Sequence, residues 1–332
     1  MSAPHGGGPA AWMLLFQVEQ PSFLEKLPDA LVAGISAGAV YAMLALGFVI
    51  IFKATQVINF AHGALSATGA FMVAALATVL RFPGRFIDGA PKAVQWGLSA
   101  LLAVFAAALL GMAVERLFIR PMVGEPLFTI AIITLGIDVV MRTVTSDFIG
   151  TDIRPLGDPW GANSFEAGPF RVAHSEVAQI VVAVVCLLGV WIFFRTRFGV
   201  AMRATAYDQE AAMTQGIKVG RIFSVAWGIG AGLAAVAGLF ASVFPRSTGV
   251  SSFTAFVALG VFPAIIIGGL DSVPGAVIGG FIIGLAEALA GSYLTFDFLG
   301  TGFAGVFPYI VMLVVLLVRP YGLFGTAEIR RV

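Results

Sequence analysis

The stretch Leu31-Val-Ala-Gly-Ile-Ser-Ala-Gly-Ala-Val-Tyr-Ala-Met-Leu-Ala-Leu-Gly-Phe-Val-Ile-Ile-Phe52 decides the fold class. It holds no charged side chain, and its length matches the ~20 apolar residues a helix needs to cross the hydrocarbon core of a bilayer. The pattern recurs over residues 64–80, 93–114, 126–141, 177–194, 222–244, 253–270, 273–290 and 303–318. Of the 332 residues, 59% are hydrophobic and 11% charged, against roughly 45–50% and 25% in soluble domains. One soluble core cannot hide that excess. The expected fold is therefore an all-α, polytopic transmembrane helical bundle with about eight or nine spans. Run 126–141 is the weakest early span because it carries Asp138, and one of the two runs flanking Asp271 is a candidate re-entrant segment.

Lysine and arginine placement sets the expected orientation, because both are enriched in cytoplasmic loops. Residues 195–221 carry Arg195, Arg197, Arg203, Lys218 and Arg221, and are assigned to the cytoplasm. Residues 142–176 hold more acidic than basic side chains and fall outside. The same alternation puts the N-terminal segment 1–30, with Glu19, Glu25 and Asp29 against Lys26, outside. It puts the tail 326–332, with Arg330 and Arg331, in the cytoplasm. One loop disagrees: Arg81, Arg85 and Lys92 outweigh Asp88 in a segment placed outside. The first 30 residues lack the basic and apolar regions of a cleaved signal peptide. A single cysteine, Cys186, excludes an intrachain disulfide, and a net charge of +1 gives no sign of nucleic-acid binding.

Small residues four apart recur at Gly34 and Gly38, Gly228 and Gly232, Gly275 and Gly279, and Gly280 and Gly284. This spacing lines one helical face and lets neighbouring backbones approach, so the leading reading is helix packing.

The stretch Arg203-Ala-Thr-Ala-Tyr-Asp-Gln-Glu-Ala-Ala-Met-Thr-Gln-Gly-Ile-Lys218 is the most informative part of the chain. Residues 201–215 are good helix formers with no proline or glycine, and Gly216 is placed to end the helix. A short helix outside the membrane, presenting Glu210, Ala211 and Ala212, fits a groove on another protein; an ordinary solvated loop is the competing reading.

Among polar groups near the spans, Asn59-Phe-Ala-His-Gly63 reads as a cytoplasmic turn with a structural role, or as a break in a helix lining a cavity. In the second reading Asn59 and His62 are pathway candidates. Asp138, Glu287 and Asp297 sit in or beside apolar runs, where carboxylates are costly. For Asp138 an ion pair with Arg142, four residues on, leads. Glu287 has no basic residue within ten positions and is the least explained charge. Asp271-Ser-Val-Pro-Gly275 reads as a capped turn.

These pieces resemble a known family. Asp208-Gln-Glu-Ala-Ala-Met-Thr-Gln-Gly-Ile-Lys-Val-Gly-Arg221 is similar to the coupling motif of permeases in ATP-binding-cassette importers, in the form found in the LivH family. Gly38-Ala-Val-Tyr-Ala-Met-Leu-Ala-Leu-Gly47 with Val57-Ile-Asn-Phe-Ala-His-Gly63 resembles the family's N-terminal signature. Ile267-Gly-Gly-Leu-Asp-Ser-Val-Pro-Gly-Ala-Val-Ile-Gly-Gly280 and Arg319-Pro-Tyr-Gly-Leu-Phe-Gly325 resemble its C-terminal half. The first 25 residues and the loop around Trp160 have no match.

The resemblance implies a bacterial inner-membrane permease domain over 31–325, importing branched-chain or related amino acids. Asp208, Glu210, Ala211, Ala212 and Gly216 then carry the ATPase coupling. The implied partners, besides membrane lipid, are two cytoplasmic ATPase subunits, a second, LivM-like permease and a periplasmic binding protein. No cofactor is expected on this chain. Its lysines, Lys26, Lys53, Lys92 and Lys218, follow Glu, Phe, Pro and Ile, so none forms the Gly-Lys pair of a P-loop, and ATP is left to the partners.

Competing readings are a urea, amide or sugar permease of the same kind, and an ion-coupled secondary transporter using Asp138 or Glu287. An enzyme ranks last, because His5, His62 and His174 are scattered and neither metal-ligand spacing nor a nucleophile elbow occurs.

Overall fold

The computed structural model describes residues 23–122, 124–150, 152–294 and 302–326. The expectations placed on segment 1–22, Asp297 and Arg330 to Arg331 lie outside those residues. Eleven helices are described: α1 (Phe23–Thr55), α2 (His62–Ala74), α3 (Lys92–Val114), α4 (Leu127–Ile149), α5 (His174–Arg195), α6 (Arg197–Tyr207), α7 (Gln209–Thr214), α8 (Val219–Ala241), α9 (Val257–Gly268), α10 (Val273–Tyr293) and α11 (Phe303–Val318). An antiparallel hairpin of β1 (Ser164–Ala167) and β2 (Phe170–Ala173) pairs Phe165 with Val172, a small departure from an all-α chain.

Among the described residues, seven helical segments are long and apolar enough to cross a membrane: Phe23–Thr55, His62–Phe86, Lys92–Met122, Leu127–Ile149, His174–Arg195, Val219–Ala241 and Val273–Tyr293. Two apolar helices are shorter, Thr254–Gly268 and Phe303–Val318. The chain is a multi-pass helical membrane protein. The 12 residues of α9 extend about 18 Å, well short of the ~30 Å hydrocarbon core. The fourth segment runs past residue 141 because Asp138 and Arg142 satisfy one another within it, as the spacing predicts.

The first sequence stretch forms the hub. Every residue from 36 to 51 is buried, so α1 is enclosed on all sides, which is why its sequence is apolar all round. Its tightest neighbour is α10, and the glycine repeats interlock there: a Cβ on Gly38 would strike Phe281, one on Gly280 would strike Ala42, and one on Gly284 would strike the Gly38 backbone. The other repeats also serve packing. Gly228 and Gly232 face α3 at Met112 and Ala108, and Gly275 and Gly279 face α9 at Gly268 and Ala264.

Hydrogen bonds sort the loops between two ends of the bundle. At one end the Asp29 carboxylate accepts from the Arg171 backbone N–H (3.1 Å), Trp96 donates to the Leu156 carbonyl (3.0 Å), and Arg154 and Val250 exchange backbone hydrogen bonds. Trp160, in the loop without a sequence match, packs on Trp96 and Phe240 and fixes that loop to the helix ends. Arg85, one of the discordant cations, lies over the Phe82 and Phe86 rings. At the other end Lys53 donates to the Asp271 carbonyl (3.0 Å), and the backbone N–H groups of Leu323 and Phe324 donate to the carbonyls of Ile267 and Gly268. Two family-like motifs, at 267–280 and 319–325, thus meet through their backbones.

Candidate functional site

The stretch 203–218 lies at the Lys53 end. It is two helices, not the single helix expected over 201–215: Asp208 is extended (φ −156°, ψ 111°) and separates α6 from α7. The reason is competition from its side chain. The Asp208 carboxylate accepts the Ala211 N–H (2.9 Å), capping α7 and removing the residue from a continuous helix. The far end closes as the sequence predicts. Gly216 has φ +81°, its N–H donates to the Met213 carbonyl (2.9 Å), and the Ile217 N–H donates to the Ala212 carbonyl (3.1 Å). This is a Schellman closure, whose left-handed residue favours glycine.

The exposure of α7 is one-sided. Ala212 is buried against the body, while Glu210, Ala211, Met213 and Gly216 face out. Tyr207, 95% exposed, and Met213, 55% exposed, flank Glu210 with apolar surface that the sequence pattern does not single out. The unit is anchored by Met202, fully buried among Leu46, Ile50, Val190 and Ile222. A second anchor, also without a sequence signal, joins α3 to α8. Arg120 donates to the wholly buried Glu115 carboxylate (3.0 and 2.9 Å), to the Gly220 carbonyl (2.7 Å) and to the Ser224 hydroxyl (2.7 Å). Ser224 in turn donates to Glu115 at 2.6 Å. The exit of the stretch 203–218 is therefore tied to the base of the bundle.

The Asn59 to Gly63 run is not an exposed turn. Asn59 and His62 are both buried, and the chain folds back after Thr55 so that His62 Nε2 lies 2.9 Å from the Leu44 carbonyl oxygen. Leu44 precedes Lys53 by nine residues on α1, about 13 Å along the axis. So α2 begins well inside the bundle, and its free N-terminal amides need partners. The Asn59 side-chain oxygen accepts the Ala61 N–H (3.1 Å), and Thr134 accepts the Phe60 N–H (3.2 Å). The run is thus a buried break between α1 and α2, with protein groups supplying partners to its backbone amides. Asn59 Nδ2 and His62 Nδ1 have no hydrogen-bond partner among the described residues.

Glu287, the unexplained charge, accepts a hydrogen bond from the Tyr41 hydroxyl. The Arg246 guanidinium lies 5.3 Å from the centre of the Tyr41 ring, which brings an acid and a base to one aromatic side chain. Tyr41 and Leu44 are one turn apart on α1, and Phe48, the next turn on, meets both His62 and Phe262. Two of the pathway candidates, His62 and Glu287, are thereby brought to neighbouring turns of α1.

Residues 30–316 match the family described as branched-chain amino acid transport system / permease component. The chain belongs to that family. It is a transport-system permease component and not an enzyme. The high-affinity branched-chain amino acid transport system permease protein LivH of Escherichia coli (strain K12) is 31% identical over 311 residues, covering 90% of this permease and 96% of that protein. The corresponding protein BraD of Pseudomonas aeruginosa is 28% identical over 317 residues, covering 91% and 97%. Among solved structures, PsaBC from Streptococcus pneumoniae in complex with Fab matches at a TM-score of 0.45 and 15% identity, over 94% of this permease and 98% of that chain.

Proposed function

We propose that the chain is one permease subunit of an ATP-driven importer of the bacterial inner membrane, carrying branched-chain amino acids delivered by a periplasmic binding protein. A second permease completes the pathway, and two cytoplasmic ATPase subunits bind and hydrolyse ATP. The observation that carries this reading is the capped, one-sided helix α7: Glu210, Ala211 and Met213 stand out from a unit anchored by Met202. Rigid presentation of a short exposed helix is what docking into a partner's groove requires.

In this reading Asp208 and Gly216 hold the docking helix in shape, while Glu210, Ala211 and Ala212 supply its surface and its seat. Glu287 meets the solute ammonium, and Asn59 and His62 form the wall beside it. The end carrying Lys53 and α7 faces the cytoplasm, the N-terminal segment lies outside, and the two shorter apolar helices bring the spans to eight or nine. The test is solute uptake and ATP hydrolysis by the reconstituted complex. Glu210→Arg should abolish hydrolysis stimulated by the binding protein while leaving the purified permease folded. Uptake by this chain alone in proteoliposomes, driven by a proton gradient, would sink the reading.

A further inference from the structure

A groove of about 970 Å³ runs between α5 and α10, away from the pathway candidates. Its walls are apolar, with Val184, Leu188 and Trp191 on one side and Val277 and Ile278 on the other. Its polar end holds Lys53 and Arg203. Residues 184 to 194 of α5 span about 15 Å, half of a ~30 Å hydrocarbon core and so the depth of one leaflet.

Both cations keep donors to spare. Lys53 spends one on the Asp271 carbonyl (3.0 Å), and Arg203 spends one on the Phe194 carbonyl (2.5 Å). The Asp271 carboxylate, which also lines this end, is engaged by the backbone N–H and hydroxyl of Thr326. Arg195 lies 3.7 Å from the Trp191 ring centre, so a third cation and an aromatic ring mark the same level. Aromatic rings and basic side chains at one height are the signature of the membrane–water boundary.

We infer that this groove holds an acyl chain of an anionic phospholipid, with the lipid phosphate between Lys53 and Arg203. The apolar length fits one leaflet, and the charge at its mouth complements a phosphate, as in basic pockets between membrane helices. The occupant is a lipid of the leaflet at the coupling end, which places it within reach of Arg203 on α6.

The test is native mass spectrometry of the purified full-length chain in detergent. The probes are phosphatidylglycerol and phosphatidylcholine with identical acyl chains. Wild type should retain phosphatidylglycerol preferentially, and Lys53→Gln and Arg203→Gln should each weaken that preference by about five-fold. Lys53→Arg should keep it, and Val277→Trp, which fills the groove, should lower retention of both lipids. Equal retention by wild type, or an unchanged preference in the Lys53→Gln/Arg203→Gln double variant, would overturn the inference. So would cross-linking of Leu188→Cys to a second permease in membranes, which would make the groove a subunit interface. None of these readouts depends on transport, so the lipid site and the importer reading fail separately.

Discussion

Asp138 on α4 pairs with Arg142, one turn further along the same helix. An intramembrane carboxylate of this kind is a candidate ion site, yet here it is held in an ion pair within its own helix. Breaking a buried ion pair from one side costs about 3–5 kcal/mol, and Asp138→Leu should fall at the lower end because Arg142 is partly exposed. Asp138→Asn keeps an acceptor for Arg142 and should cost roughly 1–2 kcal/mol. Thermal unfolding in detergent checks both. Uptake by Asp138→Asn should persist; its loss in a folded protein would return Asp138 to the pathway.

The α1–α10 contact predicts a sharp contrast between glycines. Gly284→Leu drives a side chain into the backbone of Gly38 and should leave little folded protein. Gly136 on α4 has open space where a Cβ would stand, with nothing within 4 Å, so Gly136→Ala should change stability by no more than about 1 kcal/mol. Fluorescence-detected gel filtration of the two variants decides it, and equal yields would contradict the packing assignment.

How much of the fold and site is legible in the sequence depends on distance along the chain. Runs such as 303–318 are read directly because a span is written in consecutive residues, and the glycine pairs mark the faces that meet. The Schellman closure is legible in Gly216 alone. The break at Asp208 is not, because good helix formers surround it and only a carboxylate turning back onto Ala211 interrupts them. Arg120 and Ser224 share Glu115 across about a hundred residues, and Thr134 takes the Phe60 amide from another helix. No local pattern announces such pairings. The exposure of Tyr207 and Met213 likewise depends on which sides of α6 and α7 face the bundle.

The Glu115 cluster is expected to behave as a unit. Arg120→Met strands a fully buried carboxylate and should destabilise by about 3 kcal/mol. Adding Glu115→Gln removes the stranded charge and should recover a good part of that loss. A double-mutant cycle by thermal unfolding measures the coupling, and additive losses would show that the two residues act apart.

For Glu287, substitution by Gln keeps an acceptor for the Tyr41 hydroxyl and deletes the charge. If the carboxylate meets the solute ammonium, uptake should fall by about tenfold or more, the equivalent of ~1.4 kcal/mol, with little change in melting temperature. Uptake by the reconstituted complex at several solute concentrations is the measurement, and an unchanged rate would remove Glu287 from the pathway.

The central claim is that energy enters through α7. It is tested most directly by measuring ATP hydrolysis of the reconstituted complex with and without the loaded binding protein, for wild type, Glu210→Arg and Gly216→Val. Gly216→Val forces a β-branched residue to φ +81° and should distort the helix end at a cost of about 1–2 kcal/mol. Stimulated hydrolysis should be lost in Glu210→Arg and reduced in Gly216→Val, while both permeases remain folded. Full stimulation in both folded variants would contradict the claim.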